Sequence, residues 1–151
     1  MPAKPVPDGY HTVTPYLVVR DATESIEFLK KAFGATESHP PMKRPDGRIM
    51  HAEMKIGDSR VMLGEANEQW PMTTSSLYLY VPDADAAYKR AVDAGGKSTV
   101  EPMDQFYGDR SGCVKDASGN IWWLATHKED LSLAELQKRG EEAFKKQKER
   151  A

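Results

Sequence analysis

Cysteine is nearly absent from this chain of 151 residues, where Cys113 stands alone. A single thiol excludes an intramolecular disulfide framework and suits a reducing compartment. Long hydrophobic runs are missing as well. Nothing approaches the roughly 20 apolar residues of a membrane span, and the opening MPAKPVPDGY lacks the apolar stretch of a signal peptide. There is no excess of charge of one sign: 21 Lys and Arg against 23 Asp and Glu leave a net charge of −2, which exerts no overall pull on nucleic acid. A Gly-rich strand–helix loop of the kind that cradles phosphates is also lacking. These absences point to a soluble, cytoplasmic protein that engages neither membrane nor nucleic acid. What remains, 39% hydrophobic and 29% charged, fits one compact domain or two half-domains sharing a core.

Against that background a repeat stands out. Arg44–Leu63 (RPDGRIMHAEMKIGDSRVML) and Phe106–His127 (FYGDRSGCVKDASGNIWWLATH) share one shape: a turn, a strand, a tight turn and a second strand. Upstream, Tyr16-Leu17-Val18-Val19-Arg20-Asp21 rhymes with Tyr78-Leu79-Tyr80-Val81-Pro82-Asp83, 62 residues later, and Gly34 falls on Gly96 at the same offset. The strand pair follows at 61 residues, with Leu63 on Leu124. An offset held to within one residue over four features indicates duplication.

Taken in order, residues 1–9 are an extended arm with three prolines. A strand covers 11–19, and Asp21 with Glu24 caps a helix carrying Ala22, Ile26, Leu29 and Phe33 at helical spacing, which Gly34 ends. A strand over 35–43 is weakened by Pro40-Pro41. Pro45-Asp46-Gly47 turns the chain into 48–56, where Ala52, Met54 and Ile56 alternate with His51, Glu53 and Lys55. Residues 60–64 return, and 65–74 form a polar loop carrying an exposed Trp70. The second half repeats the order: strand 75–81, helix 84–94 capped by Asp83, a short strand near 97–101, and two strands ending near Thr126. Ser132 with Glu135 starts a last helix reaching about residue 148. Each half is therefore strand–helix–strand–strand–strand, an α+β arrangement with a helix on one sheet face and the other face bare. Two such bare faces brought together would enclose a cleft.

The segments TPYLVVRDATESIEFLKKAFGA, DGRIMHAEMKIGDSRVML, YLYVPDADAAYKRAVDAGG and YGDR with DASGNIWWLATHKEDL resemble the vicinal-oxygen-chelate superfamily. That group contains glyoxalase I, bleomycin-resistance proteins and extradiol dioxygenases; the closer resemblance is to its PhnB-like branch. The resemblance implies two βαβββ repeats in mixed sheets enclosing a cleft. It gives a single domain over 1–131, with repeat one about 10–65 and repeat two about 75–127, followed by a C-terminal helix over 132–151. It also implies a homodimer, which open sheet edges make physically reasonable. Metal-dependent members hold one divalent ion with ligands from the first and last strands of each half. Carried over, those positions are Thr14, Met62, Ser76 and Trp123. A thioether and an indole offer no hard donor, and hydroxyls alone bind weakly. The residue after the turn glycine, often histidine in PhnB-like relatives, is Asn120. The expectation is no metal site and no cofactor.

If those four positions line the cleft, strand alternation adds Tyr16, Val18, Arg60, Gly64, Tyr78, Tyr80, Ile121 and Ala125. Leu17, Val19, Val61, Leu63, Leu77, Leu79, Val81, Trp122 and Leu124 then face the helices. On strand 48–56, Ala52 and Met54 go to the helix and His51 and Glu53 to the cleft. Aromatic walls (Tyr16, Tyr78, Tyr80, Trp123), the Met62 thioether and a few polar groups describe a small-molecule pocket. Its rings could equally fill the sheet interface, or stack on a planar or cationic ligand. His51 and Glu53 read three ways: an acid–base pair, two metal ligands awaiting a third, or a structural contact. In Tyr107-Gly108-Asp109-Arg110, the arginine could grip a carboxylate or phosphate, or Asp109 and Arg110 could hold the loop by turn contacts. Cys113 reads as a buried structural thiol, His39 as a loop residue, and His127 as a group that helps start the tail. From Lys138 onward six Lys and Arg against three acids read as a solvated helix face. The leading reading is a metal-independent small-molecule-binding protein. Tyr16, Arg60, Met62, Tyr78, Tyr80, Tyr107, Arg110 and Trp123 would contact the ligand. The alternative is a lyase or isomerase using His51 and Glu53.

Overall fold

The computed structural model describes residues 2–150. The first residue of the expected arm and the last of the C-terminal segment lie outside them. In the first half, β1 (Tyr16–Val19) leads into α1 (Ala22–Phe33), then β2 (Thr36–Glu37), β3 (Met42–Lys43), β4 (Ile49–Ile56) and β5 (Ser59–Glu65). The second half runs β6 (Ser76–Tyr80), α2 (Ala84–Asp93), β7 (Lys97–Asp104), β8 (Asp109–Lys115) and β9 (Ile121–His127), and α3 (Leu133–Arg150) follows.

Both helices begin as the sequence predicts. Asp21 accepts from the Glu24 amide at 3.1 Å and Asp83 from the Ala86 amide at 3.1 Å, each satisfying a donor that the first turn leaves free. Gly34 closes α1 in the left-handed region (φ 64°), where only glycine sits without strain. Ser132 starts α3 by accepting from the Glu135 amide at 3.1 Å.

The strand order is β1-β5-β4-β2 in the first sheet, with β3 also on β4, and β6-β9-β8-β7 in the second. In both halves the first strand pairs parallel with the last, and Tyr16 lies opposite Met62 as Tyr78 lies opposite Trp123. The offsets read from the sequence map one pair onto the other. The helix-facing set is equally faithful: Leu17, Val19, Val61, Leu63, Trp122 and Leu124 are buried, and Leu77, Leu79 and Val81 pack against them. Ala52 and Met54 are fully buried on the helix side of β4. α1 packs against α2, so the two helix layers merge into one core, with Phe33 meeting Trp122 at 5.2 Å between ring centroids.

Three boundaries differ from expectation. The first strand begins at Tyr16 rather than His11, because Pro15 has no amide to donate; its carbonyl still accepts from Met62. The strand over 35–43 splits into two two-residue pieces around Pro40-Pro41. β7 runs on to Asp104 by shifting register around Pro102.

Candidate functional site

The helix-free face of the first sheet brings Tyr16, Met62 and Glu53 into one row, since Met62 is opposite Tyr16 on one side and Glu53 on the other. The half-buried Glu53 carboxylate accepts the Tyr10 hydroxyl at 2.5 Å and pairs with His39 Nε2. His51 Nε2 lies 3.7 Å from Glu53, while its Nδ1 is 3.1 Å from the Tyr16 hydroxyl. Arg60 stacks on the Tyr10 ring at 5.5 Å and donates to Ser38 Oγ. The Tyr10 hydrogen bond and the neighbouring histidines hold Glu53 below the usual carboxylate range against the opposing effect of burial. Burial and the same bond push Tyr10 up to about 12. The Pro40 carbonyl and then Glu53 raise His39.

The second sheet carries a different constellation. Tyr78 stacks on Trp123 (6.1 Å, 27° between planes) and meets Tyr80 edge-on at 5.4 Å. Asp109, 3% exposed, accepts both phenols on Oδ2, at 2.9 Å each, and His127 Nδ1 on Oδ1 at 2.8 Å. His127 Nε2 meets Asp130 at 2.8 Å, and the Tyr107 hydroxyl sits 3.2 Å from that of Tyr78. Burial works to raise Asp109, but hydrogen bonds from His127, Tyr78 and Tyr80 together outweigh it and hold the group low. Asp109 and then Asp130 raise His127. Tyr78 is raised by burial first, and Tyr80 by its bond to Asp109.

Arg110 corrects the sequence reading. It alternates with Asp109 on β8, so it points to the helix side, where it grips Asp85 of α2 (2.7 and 3.0 Å) and Asp104 (3.3 Å). It does not join the aromatic face, and it does not pair with Asp109. The close approach expected at Gly108 is to protein backbone: at φ 99°, a Cβ there would sit 2.6 Å from the Glu129 carbonyl. Cys113 is buried, and burial raises its thiol. The groups that sequence reasoning missed are Tyr10 and His39 on the first face, and Asp109, His127 and Asp130 on the second. One signal was available, because the Asp116–Asn120 turn sets the hairpin register. Counting outward from it pairs Asp109 with His127.

Among the described residues no hydrogen bond, ion pair or ring contact joins the first face to the second within the chain. The halves meet instead where α1 packs on α2 and where Val18 of β1 is bridged to Thr73, ahead of β6. A cavity of about 1030 Å³ opens along this seam. Thr14 and Arg60 border it on one side and Ser76, Tyr78 and Tyr80 on the other, with Phe33 and Trp122 beneath. Of the four positions carried over from metal-dependent relatives, Thr14 and Ser76 line the cavity and offer only hydroxyls; Met62 and Trp123 do not line it. That donor set does not fit a divalent ion. Among the described residues no group of three or more His, Cys, Asp or Glu side chains is arranged to hold one. No helix among them is long and apolar enough to cross a membrane.

Similarity to known proteins agrees with this architecture. The family model for the Glyoxalase/Bleomycin resistance protein/Dioxygenase superfamily matches residues 10–124. Uncharacterized protein Mb0911c of Mycobacterium bovis is 36% identical over 136 residues, covering 83% of this chain and 89% of the relative. Among solved structures, TioX from Micromonospora sp. ML1 superposes with a TM-score of 0.65 at 23% identity, over 78% of this chain and 98% of its own. The fosfomycin resistance protein FosX from Mesorhizobium loti superposes with a TM-score of 0.56 at 19% identity, over 83% and 94%. At these identities the two structures attest the fold alone. With the paired βαβββ sheets and the sequence match in agreement, the chain belongs to the glyoxalase/bleomycin resistance protein/dioxygenase superfamily.

Proposed function

We propose that the protein binds a small molecule without the divalent ion used by metal-dependent members of its superfamily, and that it acts as a cytoplasmic homodimer. The observation that carries this reading is the seam cavity. At about 1030 Å³ it matches the size of small-molecule sites, and it combines an apolar floor with polar groups that could orient a ligand. Tyr78 and Tyr80 supply aromatic wall, Arg60 a cation, and Thr14 and Ser76 hydroxyls. Dimerisation is supported by what the single chain leaves open. Tyr16 (47% exposed), Met42 and Met50 remain in solvent, and β1 and β6 are edge strands. The test is a titration of chelator-treated protein with planar aromatic ligands, followed by tryptophan fluorescence and by sedimentation. Saturable micromolar binding by a species of about twice 16.9 kDa is the expected result. Binding that vanishes on chelation and returns with a divalent ion would overturn the proposal.

The second reading is a lyase or isomerase with His51 and Glu53 as acid–base groups or as ligands of a relocated ion. The clustering of His39, His51 and Glu53 favours it. Against it, a carboxylate held low by three partners is a weak proton acceptor near neutrality, where a general base needs a matched pKa. His51→Ala separates the two: a binder keeps most of its affinity, whereas an enzyme loses turnover.

A further inference from the structure

All three phenolic protons of the second face are directed inward. Tyr78 and Tyr80 each donate to Asp109 Oδ2, and each has only one proton to give. The 3.2 Å contact between Tyr78 and Tyr107 must then be donated by Tyr107. What Tyr78 and Tyr80 present outward is acceptor-only: hydroxyl lone pairs and the negative faces of their rings. Trp123 extends this surface by stacking on Tyr78. Behind the two hydroxyls lies the buried carboxylate of Asp109, which His127 links to the solvent-exposed Asp130. Asp109 thus sets a buried negative charge behind the phenols, which His127 offsets when protonated.

We propose that the Tyr78–Tyr80–Trp123 wall takes a flat organic cation, such as a protonated or quaternised nitrogen heterocycle, an inference that rests on the small-molecule reading above. Such a ligand is complementary in both respects. Its positive charge sits over electron-rich rings, and any N–H it carries meets a hydroxyl oxygen with a free lone pair. A neutral ligand offering only acceptors would face lone pairs and gain nothing from them. The opposite sign is available in the seam cavity, which Tyr78 and Tyr80 line and Trp123 does not, since Arg60 and Arg90 line it and neither is ion-paired among the described residues. Arg60 donates to Ser38 and stacks on the Tyr10 ring while its buried Nε has no partner, and Arg90 donates to the Lys31 carbonyl. Tyr80 is the most exposed ring of the set, and its outward side is open to a ligand.

The experiment is calorimetric titration of the full chain in neutral buffer with three flat probes of similar size: N-methylquinolinium, quinoline and naphthoate. The proposal predicts that N-methylquinolinium binds about fivefold tighter than quinoline. It also predicts that Tyr80→Leu, at an exposed position, weakens binding of the cation more than that of quinoline and so removes most of that difference. Quinoline binding as tightly as the cation, or naphthoate binding tightest, would overturn the cation inference and leave the small-molecule reading in place. Saturable binding of none of the three would sink both.

Discussion

The two halves of this molecule share strands, register and helix packing, yet they build their polar centres in different ways. On the first face the carboxylate is Glu53, in the middle of β4, and its partners come from outside the regular structure. Tyr10 reaches in from the N-terminal arm and His39 from the Pro-interrupted segment between β2 and β3. On the second face the carboxylate is Asp109, the first residue of β8, and its partners are residues of the sheet itself: Tyr78 and Tyr80 on β6 and His127 on β9. The repeat therefore kept the scaffold and not the chemistry. A carboxylate held by phenol and imidazole occurs twice, at positions the repeat does not relate. One version is strapped on by irregular segments, and the other is built into a hydrogen-bonded ladder.

That contrast predicts unequal costs. Asp109→Ala removes a 3% exposed carboxylate that accepts from two phenols and an imidazole, and should destabilise by about 3 kcal/mol. Glu53→Ala removes a less buried group whose partners can turn to water, and should cost about 1–2 kcal/mol. Urea unfolding with an unchanged m-value measures both; equal costs would break the comparison. Next in size is the strap. Tyr10→Phe deletes one hydrogen bond to a carboxylate and should cost about 1 kcal/mol. Faster amide exchange should follow in β4 and β5, while β8 and β9 stay protected.

How much of this was readable from sequence follows the same division. Sheet faces were legible, because strand alternation and a fixed offset determine them. Leu17, Val61, Leu63, Trp122 and Leu124 had no other apolar side to join. Tyr10 and His39 were not legible. Neither lies in a regular element, and only tertiary placement brings them to Glu53, 43 and 14 residues away in the chain. Arg110 was misplaced for a local reason: it was read as part of a loop, where alternation does not apply, but β8 begins one residue earlier.

A pH series sharpens the comparison further. His127 is raised on folding, so its contribution is complete below its ordinary value of 6.5 and is lost as pH rises through the higher folded value. Asp109 is lowered, so its contribution is present above 3.8 and fades as pH falls through the lower folded value. His127→Gln should flatten the melting-temperature slope on the alkaline side of 6.5 and leave part of it, because His39 is raised in the same direction. A slope unchanged by the substitution would remove His127 from the account. The smallest effect belongs to Arg110→Ala. The ion pair with Asp85 is solvent-facing and screened, so ligand affinity should not change. A clear loss of binding would return Arg110 to the site.

The most direct test of a metal-independent site is the metal content of purified, untagged protein, followed by melting curves with and without Ni²⁺, Zn²⁺, Mn²⁺ and Fe²⁺. An ion held by the folded state at 100-fold over its dissociation constant adds about 2.7 kcal/mol. With hydroxyls, a thioether and an indole at the four inherited positions, the account predicts no stoichiometric metal and no shift for any ion. One equivalent of metal with a rise in melting temperature, abolished by His51→Ala or Glu53→Ala, would contradict it and make those two residues ligands.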